Sequence, residues 1–572
     1  MLRFRLFAWL PVAASLLVGC GGGGGGDAAS SAASRPAGNS VPDPAPPGDT
    51  RFVDATGTSG INYELAFSLP DTNAMRQITF GGAAAGDYDG DGDIDVFIVR
   101  GDAAPNLLYE NVGDLTFVEV AAEAGLAYTR STTENYAHGG PVFADVDGDG
   151  DLDLFLGGLH GDPSLIFENN GDKTFTNVTA GSGIDGLSAE ENISAAFGDY
   201  DLDGDLDLFV THYNTERPQG DPGDTEHLWR NDSDASGIRF TSVSEQALIS
   251  PSVLTKHDGS VGGADWSYTP TFARINGDLY PDILVVADYG TTQVFMNNGD
   301  GTFTNVTSTN ITDDNGMGSA VGDYDDDGDL DWFVTSILQQ PTQPGAPKPP
   351  GAPPSGNRLY RNQSGVFVDA TEGAGVRDGG WGWAACMFDF ENDGDLDIYH
   401  TNGWGFLDPR GSFREDASRA FVSDGAGHFE NRAEALGLAD TNNARGAVCA
   451  DFDDDGDIDI LQLHEASGLA ATLWKNDGSV NNYLRVKLKG LPPNTEGAGA
   501  RIKARIGSIT RMREVTIGNN YSSQNPTVQI IGLGSAAQVD ELTIEWPDAA
   551  TPPTVLNDVA ANQTLTVPHP GL

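Results

Sequence analysis

At 572 residues the chain is too long for one ordinary hydrophobic core, so it divides into several folded units or a repeat array. Its 84 acids against 31 bases give a net charge of −53, which argues against a nucleic-acid partner and for bound cations. With 74 glycines and no long amphipathic helical pattern, many short strands joined by turns are expected.

The first 20 residues, MLRFRLFAWLPVAASLLVGC, place Arg3 and Arg5 before an apolar run too short to span a bilayer. That is the pattern of an export signal over residues 1–19. Its ending, Leu17-Val18-Gly19-Cys20, resembles a bacterial lipobox, which makes Cys20 the expected lipidated residue. The alternative is an ordinary signal peptide with a chance cysteine. A Gly/Ser/Pro-rich tether follows over residues 20–50. Glycine after Cys20 resembles lipoproteins of an outer membrane or cell surface, so an exported, lipid-anchored protein is expected.

An acidic segment then recurs seven times. DYDGDGDID begins at Asp87, DVDGDGDLD at Asp145, DYDLDGDLD at Asp199, the worn RINGDLYPD at Arg274, DYDDDGDLD at Asp323, DFENDGDLD at Asp389 and DFDDDGDID at Asp451. Repeats of this length call for a propeller or a solenoid. An aromatic strand (LLYEN, LIFENN, HLWRND, QVFMNN, RLYRN, AFVSD, LWKND) and a segment like FVEVAAEAGL recur in step. The last repeat lacks the second of these, while a spare copy, FVDATGTSGI, stands at Phe52 before the first loop. A ring closed by an N-terminal strand explains that offset, so a seven-bladed β-propeller is expected over residues 51–480.

Each acidic segment offers carboxylates on alternate positions: Asp87, Asp89, Asp91, Asp93 and Asp95; Asp145, Asp147, Asp149, Asp151 and Asp153; Asp199, Asp201, Asp203, Asp205 and Asp207. The later loops offer Asp323, Asp325, Asp327, Asp329 and Asp331; Asp389, Glu391, Asp393, Asp395 and Asp397; Asp451, Asp453, Asp455, Asp457 and Asp459. Positions one, three, five and nine can converge on one ion, with the carbonyl of position seven, while glycine at position six permits the turn. Hard oxygen donors in that number suit Ca²⁺, so about six structural calcium sites are expected. The fourth loop departs from the pattern. It keeps Asn276, Asp278 and Asp282, but Arg274 stands at position one and Leu279 at position six. The Arg274 guanidinium is expected to replace the ion by pairing with Asp278 or Asp282.

Cys386 and Cys449 differ by one place in the repeat, which in a strand points them to opposite faces, and free buried thiols are expected. From Asn482 the charge pattern changes: residues 482–572 hold eight bases and seven acids. Strands of two-residue rhythm such as YLRVKLKG and ELTIEWP mark a small all-β, sandwich-like domain there. Its basic face is free to lie on the acidic propeller or in solvent.

The repeats resemble the FG-GAP/VCBS repeats of the integrin α-subunit propeller. The segments NNYLRVKLKG, GAGARIKARIG, REVTIGNNYSSQNP and IGLGSAAQVDELTIEWPD resemble the ASPIC/UnbV module. Together they resemble the cartilage acidic protein family in a bacterial lipoprotein form. The integrin resemblance implies calcium loops on one face and partner-binding loops on the other. The latter would be the insertions at 211–227, 335–357 and 401–419 and the entries around 127–141 and 245–268. Trp266, Tyr268, Trp381, Trp383 and Trp404 lie near these loops, where they either stack on a sugar, anchor a protein or pack in the core.

The leading reading is therefore a calcium-binding, lipid-anchored surface protein that binds an extracellular protein or a glycan, with no catalytic site. A polysaccharide-active enzyme of lyase or dehydratase type is one alternative, and a scaffold of an envelope complex is another. No nucleophile elbow, zinc motif or phosphate loop is present. Among the scattered histidines, His138, His212 and His400 could reach one face.

Overall fold

Each acidic segment folds as the turn between the first two strands of a four-stranded antiparallel sheet. In the first blade Ala83–Gly86 leads through the loop into Asp95–Ile98, followed by Leu107–Asn111 and Phe117–Glu119. A computed structural model describes residues 50–572 apart from 64, 66–78, 80, 219–221, 258, 339–354, 406–412 and 465–470. The leader, Cys20, the tether up to residue 49 and the centre of the proline-rich insertion at 335–357 lie outside the described residues.

Seven such sheets are present, and the first strands of consecutive blades touch in a closed circuit, the seventh against the first. The seventh sheet takes its outer strand from the N-terminal side: Phe52–Asp54 pairs with Thr472–Asn476, Phe52 opposite Asn476. This is the closure that the offset repeat predicts. The third and fourth blades are also joined directly, where Asp207–Glu216 and Ala264–Ala273 extend and pair with Tyr213 opposite Trp266.

Both faces of a blade are buried, so two-residue alternation sends successive side chains to opposite neighbours. In the first blade Val96 and Ile98 pack with Leu461 and Val448 of the seventh, whereas Phe97 packs with Phe143 and Leu154 of the second. The same alternation corrects the reading of the cysteines. Cys386 and Cys449 form a disulfide, Cα–Cα 6.5 Å. They lie on the innermost strands of blades six and seven, Gly382–Phe388 and Ala444–Ala450. Facing positions of adjacent blades must have opposite parity, so the one-residue offset brings the two thiols together.

A second set of ties runs from blade to blade on the loop side. The asparagine that ends the aromatic strand donates Nδ2–H to the carbonyl at loop position two of the preceding blade. The bonds are Asn111 to Phe452, Asn169 to Tyr88, Asn231 to Val146, Asn297 to Tyr200, Asn362 to Ile275 and Asn476 to Phe390, each 2.8–2.9 Å. In the sixth blade Ser423 occupies that position.

The C-terminal module packs a three-stranded sheet, with Asn482–Lys489 at its centre, against a four-stranded one running from Ile509–Glu514 to Thr554–Ala560. Leu484, Val486, Ile502, Leu542 and Trp546 form its core. The module is not a separate body, for the described residues of ring and module fall in one compact unit. Residues 517–525 leave the sandwich and enter the ring, where they meet the inner edges of the first strands. Gln524 N donates to Ala83 O at 2.9 Å, Ala85 N to Gln524 O at 3.1 Å, and Phe197 N to Ile517 O at 2.9 Å. The Gln524 amide bonds both backbone groups of Phe143, at 2.7 and 2.8 Å. Asn520 accepts from Ala385 N at 2.8 Å and donates to Ala447 O at 3.0 Å, while Asn525 accepts from Cys449 N at 2.9 Å. At Gly82 the plug passes so close that a Cβ would lie 1.9 Å from Ser522 O.

These contacts make the ring and the module one cooperative unit. A single calorimetric transition is expected for the full chain, and two separate transitions would contradict the plugged ring. Asn169→Ala leaves the carbonyls of Tyr88 and Leu152 without that donor and is expected to cost about 1–3 kcal/mol in denaturant unfolding.

Candidate metal centres

The loops are shaped by their own carboxylates. The acid at position five accepts the N–H of position seven in all six acid-rich loops, as Asp91 does from Asp93, and in the first two loops position three also accepts the N–H of position five, as Asp89 does from Asp91. Glycine at position six adopts φ between +90° and +105° in all six acid-rich loops, a backbone that side chains disfavour. The acid at position nine is buried and holds two N–H groups. Asp95 accepts from Tyr88 N at 3.2 Å and Asn111 N at 2.8 Å, and Asp153, Asp207, Asp331, Asp397 and Asp459 repeat the pattern.

Carboxylate oxygens from positions one, three and nine lie within 4.8 Å of one another in Asp87/Asp89/Asp95, Asp145/Asp147/Asp153, Asp323/Asp325/Asp331 and Asp389/Glu391/Asp397. In the third loop the convergent set is Asp199, Asp201 and Asp203. Position-seven acids turn elsewhere: Asp329 Oδ2 accepts Ser364 N at 2.9 Å and Asp457 Oδ2 accepts Ser479 N at 3.0 Å.

Two observations test whether this donor set fits a cation. Buried oxygens at positions one and three have no hydrogen-bond donor, namely Oδ1 of Asp87, Asp199, Asp201, Asp325, Asp451 and Asp453. An unpartnered buried carboxylate oxygen is strongly disfavoured, and a hard divalent cation among three such groups removes the penalty. Burial also raises the carboxyl pKa values, with neighbouring acids adding to the shift. Asp95 is pushed up to about 9, Asp323 to about 8, Asp199 and Asp451 to about 7, and Asp145 to about 6. Protein cations supply only part of the compensation. Lys173 lies 2.5 Å from Asp89, Arg361 lies 2.8 Å from both Asp325 and Asp327, and Lys475 bonds Asp453.

The module covers this face. Lys487 Nζ lies 2.8 Å from Asp87 Oδ2, Arg485 Nη1 lies 3.7 Å from Asp451 Oδ2, and Thr495 Oγ1 donates to Asp145. Its basic face is therefore docked on the acidic loops. In the fourth loop Arg274 Nε donates to the carbonyl of Asp278 at 2.9 Å, not to its carboxylate, and Nη1 reaches Gly499 O at 3.2 Å. Asp282 keeps only the position-nine task, accepting Ile275 N and Asn297 N, while Asn276 bonds Asp278. The expected pairing of Arg274 with Asp278 or Asp282 is thus replaced by a module contact: Glu514 accepts Arg274 N at 2.8 Å and Arg501 Nε at 2.8 Å.

The aromatic residues near the opposite loops are chiefly core. Tyr268, Trp383 and Trp404 are buried, and Trp266 and Trp381 are half-buried. Trp381 stacks on Trp404 at 4.7 Å, while Tyr521 of the plug packs 5.5 Å from Tyr268 and 5.2 Å from Trp383. Arg445 lies over Trp383 at 4.2 Å. Of the histidines of that side, His138, His212, His227 and His400 are buried, whereas His160 is exposed and His257 half-buried. His212 bonds Asn192 at 2.6 Å and His227 pairs with Asp265 at 2.9 Å. Burial lowers His138 and His400 to about 3. Sequence reasoning missed the asparagine ties and the plug; the Asn shared by LLYEN, LIFENN and LWKND (Asn111, Asn169 and Asn476) was the available signal for the first.

The raised carboxyl values fix the sign of a pH effect. Their ordinary value is 3.8, so between 3.8 and about 9 the folded, cation-free chain binds more protons than the unfolded chain. Stability without divalent cations is therefore expected to fall as pH rises through this window, measured by thermal melts in chelator. Cation affinity is expected to rise over the same window, about tenfold per pH unit for each proton displaced.

Comparison with known proteins agrees with this architecture. FG-GAP-like repeats match residues 87–156, 145–210 and 274–334, and the model described as ASPIC and UnbV matches residues 490–571. Cartilage acidic protein 1 of Xenopus tropicalis is 25% identical over 524 residues, 86% of this chain and 73% of that protein. Its Mus musculus counterpart is 24% identical over 525 residues, 86% and 74% respectively. A solved Agrocybe aegerita lectin, described as recognising non-reducing terminal N-acetylglucosamine, is 18% identical with a TM-score of 0.40, covering 62% of this chain and 79% of that one. The chain combines FG-GAP-like repeats with an ASPIC and UnbV domain and is similar to cartilage acidic protein 1 over 86% of its length.

Proposed function

We propose that this chain is a calcium-stabilised binding protein, anchored at the cell surface through a lipid on Cys20, that engages a protein or a glycan. Calcium is structural in this reading, and the partner meets the propeller on the face opposite the acidic loops. The observation that carries it is the division between the two faces. The acidic loops lie under the module, with Lys487, Arg485 and Thr495 on their first carboxylates and residues 517–525 in the ring. The strand connections on the other side include 217–227 and 403–418, of which 219–221 and 406–412 lie outside the described residues.

A binding role also agrees with the state of the histidines. His138, His212 and His400 are buried and held neutral, and so are poorly placed for proton transfer to a substrate. For the cation, oxygen-only donors grouped three at a time favour Ca²⁺ over softer metals. Six ions would offset 12 of the 53 net negative charges.

Dialysed full-length protein is expected to retain about six calcium ions per chain by elemental analysis. Chelation is expected to lower its melting temperature, and one ion or none would overturn the calcium assignment. On glycan arrays and panels of secreted proteins, binding is expected in calcium and lost in chelator. Depolymerisation of a polysaccharide by the purified chain would replace the binding assignment with an enzymatic one.

A further inference from the structure

In the fourth blade the turn between Asp282–Ala287 and Gln293–Asn297 lies at the strand ends away from the acidic loops. It carries Tyr289, 52 % exposed, the most exposed Phe, Tyr or Trp among the described residues. Its φ is +53°, and among those residues no other of these aromatics takes a left-handed backbone. A bulky side chain disfavours that conformation, which persists only where the surroundings impose it. Here three segments do so. Trp266 O accepts Asp288 N at 3.0 Å, Asp314 O accepts Gly290 N at 3.0 Å, and Gly290 O accepts His257 N at 2.9 Å. The Asp288 carboxylate accepts Tyr289 N at 2.8 Å, Asn315 Nδ2 at 2.6 Å and Tyr213 Oη at 3.3 Å. The ring is fixed as well. Tyr289 meets half-buried Trp266 at 4.7 Å, Trp266 meets Tyr213 at 5.3 Å, and Tyr213 stacks on buried Tyr268 at 4.3 Å. Tyr213 and Trp266 belong to the strand extension that joins the third and fourth blades.

We propose that Tyr289, backed by Trp266, is a stacking platform for one sugar ring of a neutral glycan. The inference rests on the binding reading above and names the class of partner and its point of contact. A rigid aromatic ring that already faces solvent gives contact area with little entropy lost on binding. One such ring matches the C–H face of a pyranose. It is too small for the cluster of buried aromatic and arginine anchors on which a protein partner depends. Asp314 and Asn315, half-buried beside the turn, supply polar side chains for the hydroxyl groups. Charge then selects among glycans. Asp288, Asp313 and Asp314 outnumber Lys256 around the turn, and the chain carries −53 overall, which disfavours uronate and sulfate groups.

The test is calorimetric titration of the full-length chain, in calcium, with two sets of oligosaccharides. The neutral set holds gluco-, manno-, galacto- and N-acetylglucosamine oligomers, and the acidic set holds polygalacturonate and chondroitin sulfate oligomers. At least one neutral series is expected to bind, and more tightly than either acidic one. Tyr289→Gly and Tyr289→Asn both suit the left-handed φ, so the cooperative melt is expected to stay unchanged while binding weakens at least about tenfold. Tyr289→Phe keeps the ring and is expected to bind within about threefold of wild type. Neutral-glycan binding that survives in Tyr289→Gly and Tyr289→Asn overturns the platform and leaves the binding reading standing. A loss as large in Tyr289→Phe assigns the contact to the hydroxyl and overturns stacking. Acidic oligomers that bind as tightly as neutral ones overturn the charge selection. A wild-type chain that binds neither set overturns this inference and leaves protein recognition as the surviving form of the binding reading.

Discussion

At the ninth position of every acidic segment, one buried aspartate accepts two backbone N–H groups, one from its own loop and one from the third strand of its blade. Asp95 joins Tyr88 to Asn111 in this way, and Asp282 joins Ile275 to Asn297 even where the rest of the loop has changed. The strand-ending asparagine, aligned by that bond, then ties the blade to its predecessor. A short chain of hydrogen bonds thus runs from loop to strand to neighbouring blade. Asp95, Asp153, Asp331 and Asp397 also face the carboxylates of positions one and three. The group that sets blade geometry is in these loops the group that would meet a cation, which links ion binding to folding. The fourth blade separates the two roles, since Asp282 still holds the loop while Arg274, Arg501 and Glu514 fill the remaining space.

A closed ring of blades removes outer edges but creates inner ones. The first strand of each blade turns unpaired N–H and C=O groups toward the axis, and buried backbone groups need partners. Here the partner is a polar stretch of the module. Side-chain amides serve well because each donates and accepts at once, as Gln524 does with Phe143 and Asn520 does between Ala385 and Ala447. Small residues on the inner strands, such as Ala83, Ala84 and Ala85 in the first blade and Gly446 in the seventh, leave room for the segment. At its tip Tyr521 closes the axis against Tyr268 and Trp383, which explains why those aromatics are core and not a ligand surface.

The features legible in the sequence were those written as periodicity. The seven loops and the spare strand at Phe52 dictated the ring. What escaped was set by contacts between repeats, which one repeat's pattern does not encode. The disulfide is the clearest case. Parity within a strand separates Cys386 from Cys449, but parity across two facing sheets joins them. The plug was hidden for a related reason: the polar stretch GNNYSSQNP finds its partners on the unpaired sheet edges of the ring, far away in sequence. Arg274 was read against the carboxylates of its own loop, whereas that loop supplies only the Asp278 carbonyl and its other partners come from residues 499 and 514.

The charge distribution follows from the same arrangement. Carboxylates crowded on one face repel one another, and the ring tolerates them through backbone donors and a few lysines and arginines. The module carries eight bases, and Arg485, Lys487, Arg501 and Arg511 reach the acidic loops or the worn fourth one. A basic domain placed there reduces repulsion along the whole rim, and its own core keeps those bases in position. The acidic face is accordingly an internal interface of the protein. Its charge serves assembly against the module, and in the proposed reading it also holds cations while an outside partner meets the loops at the opposite ends of the strands.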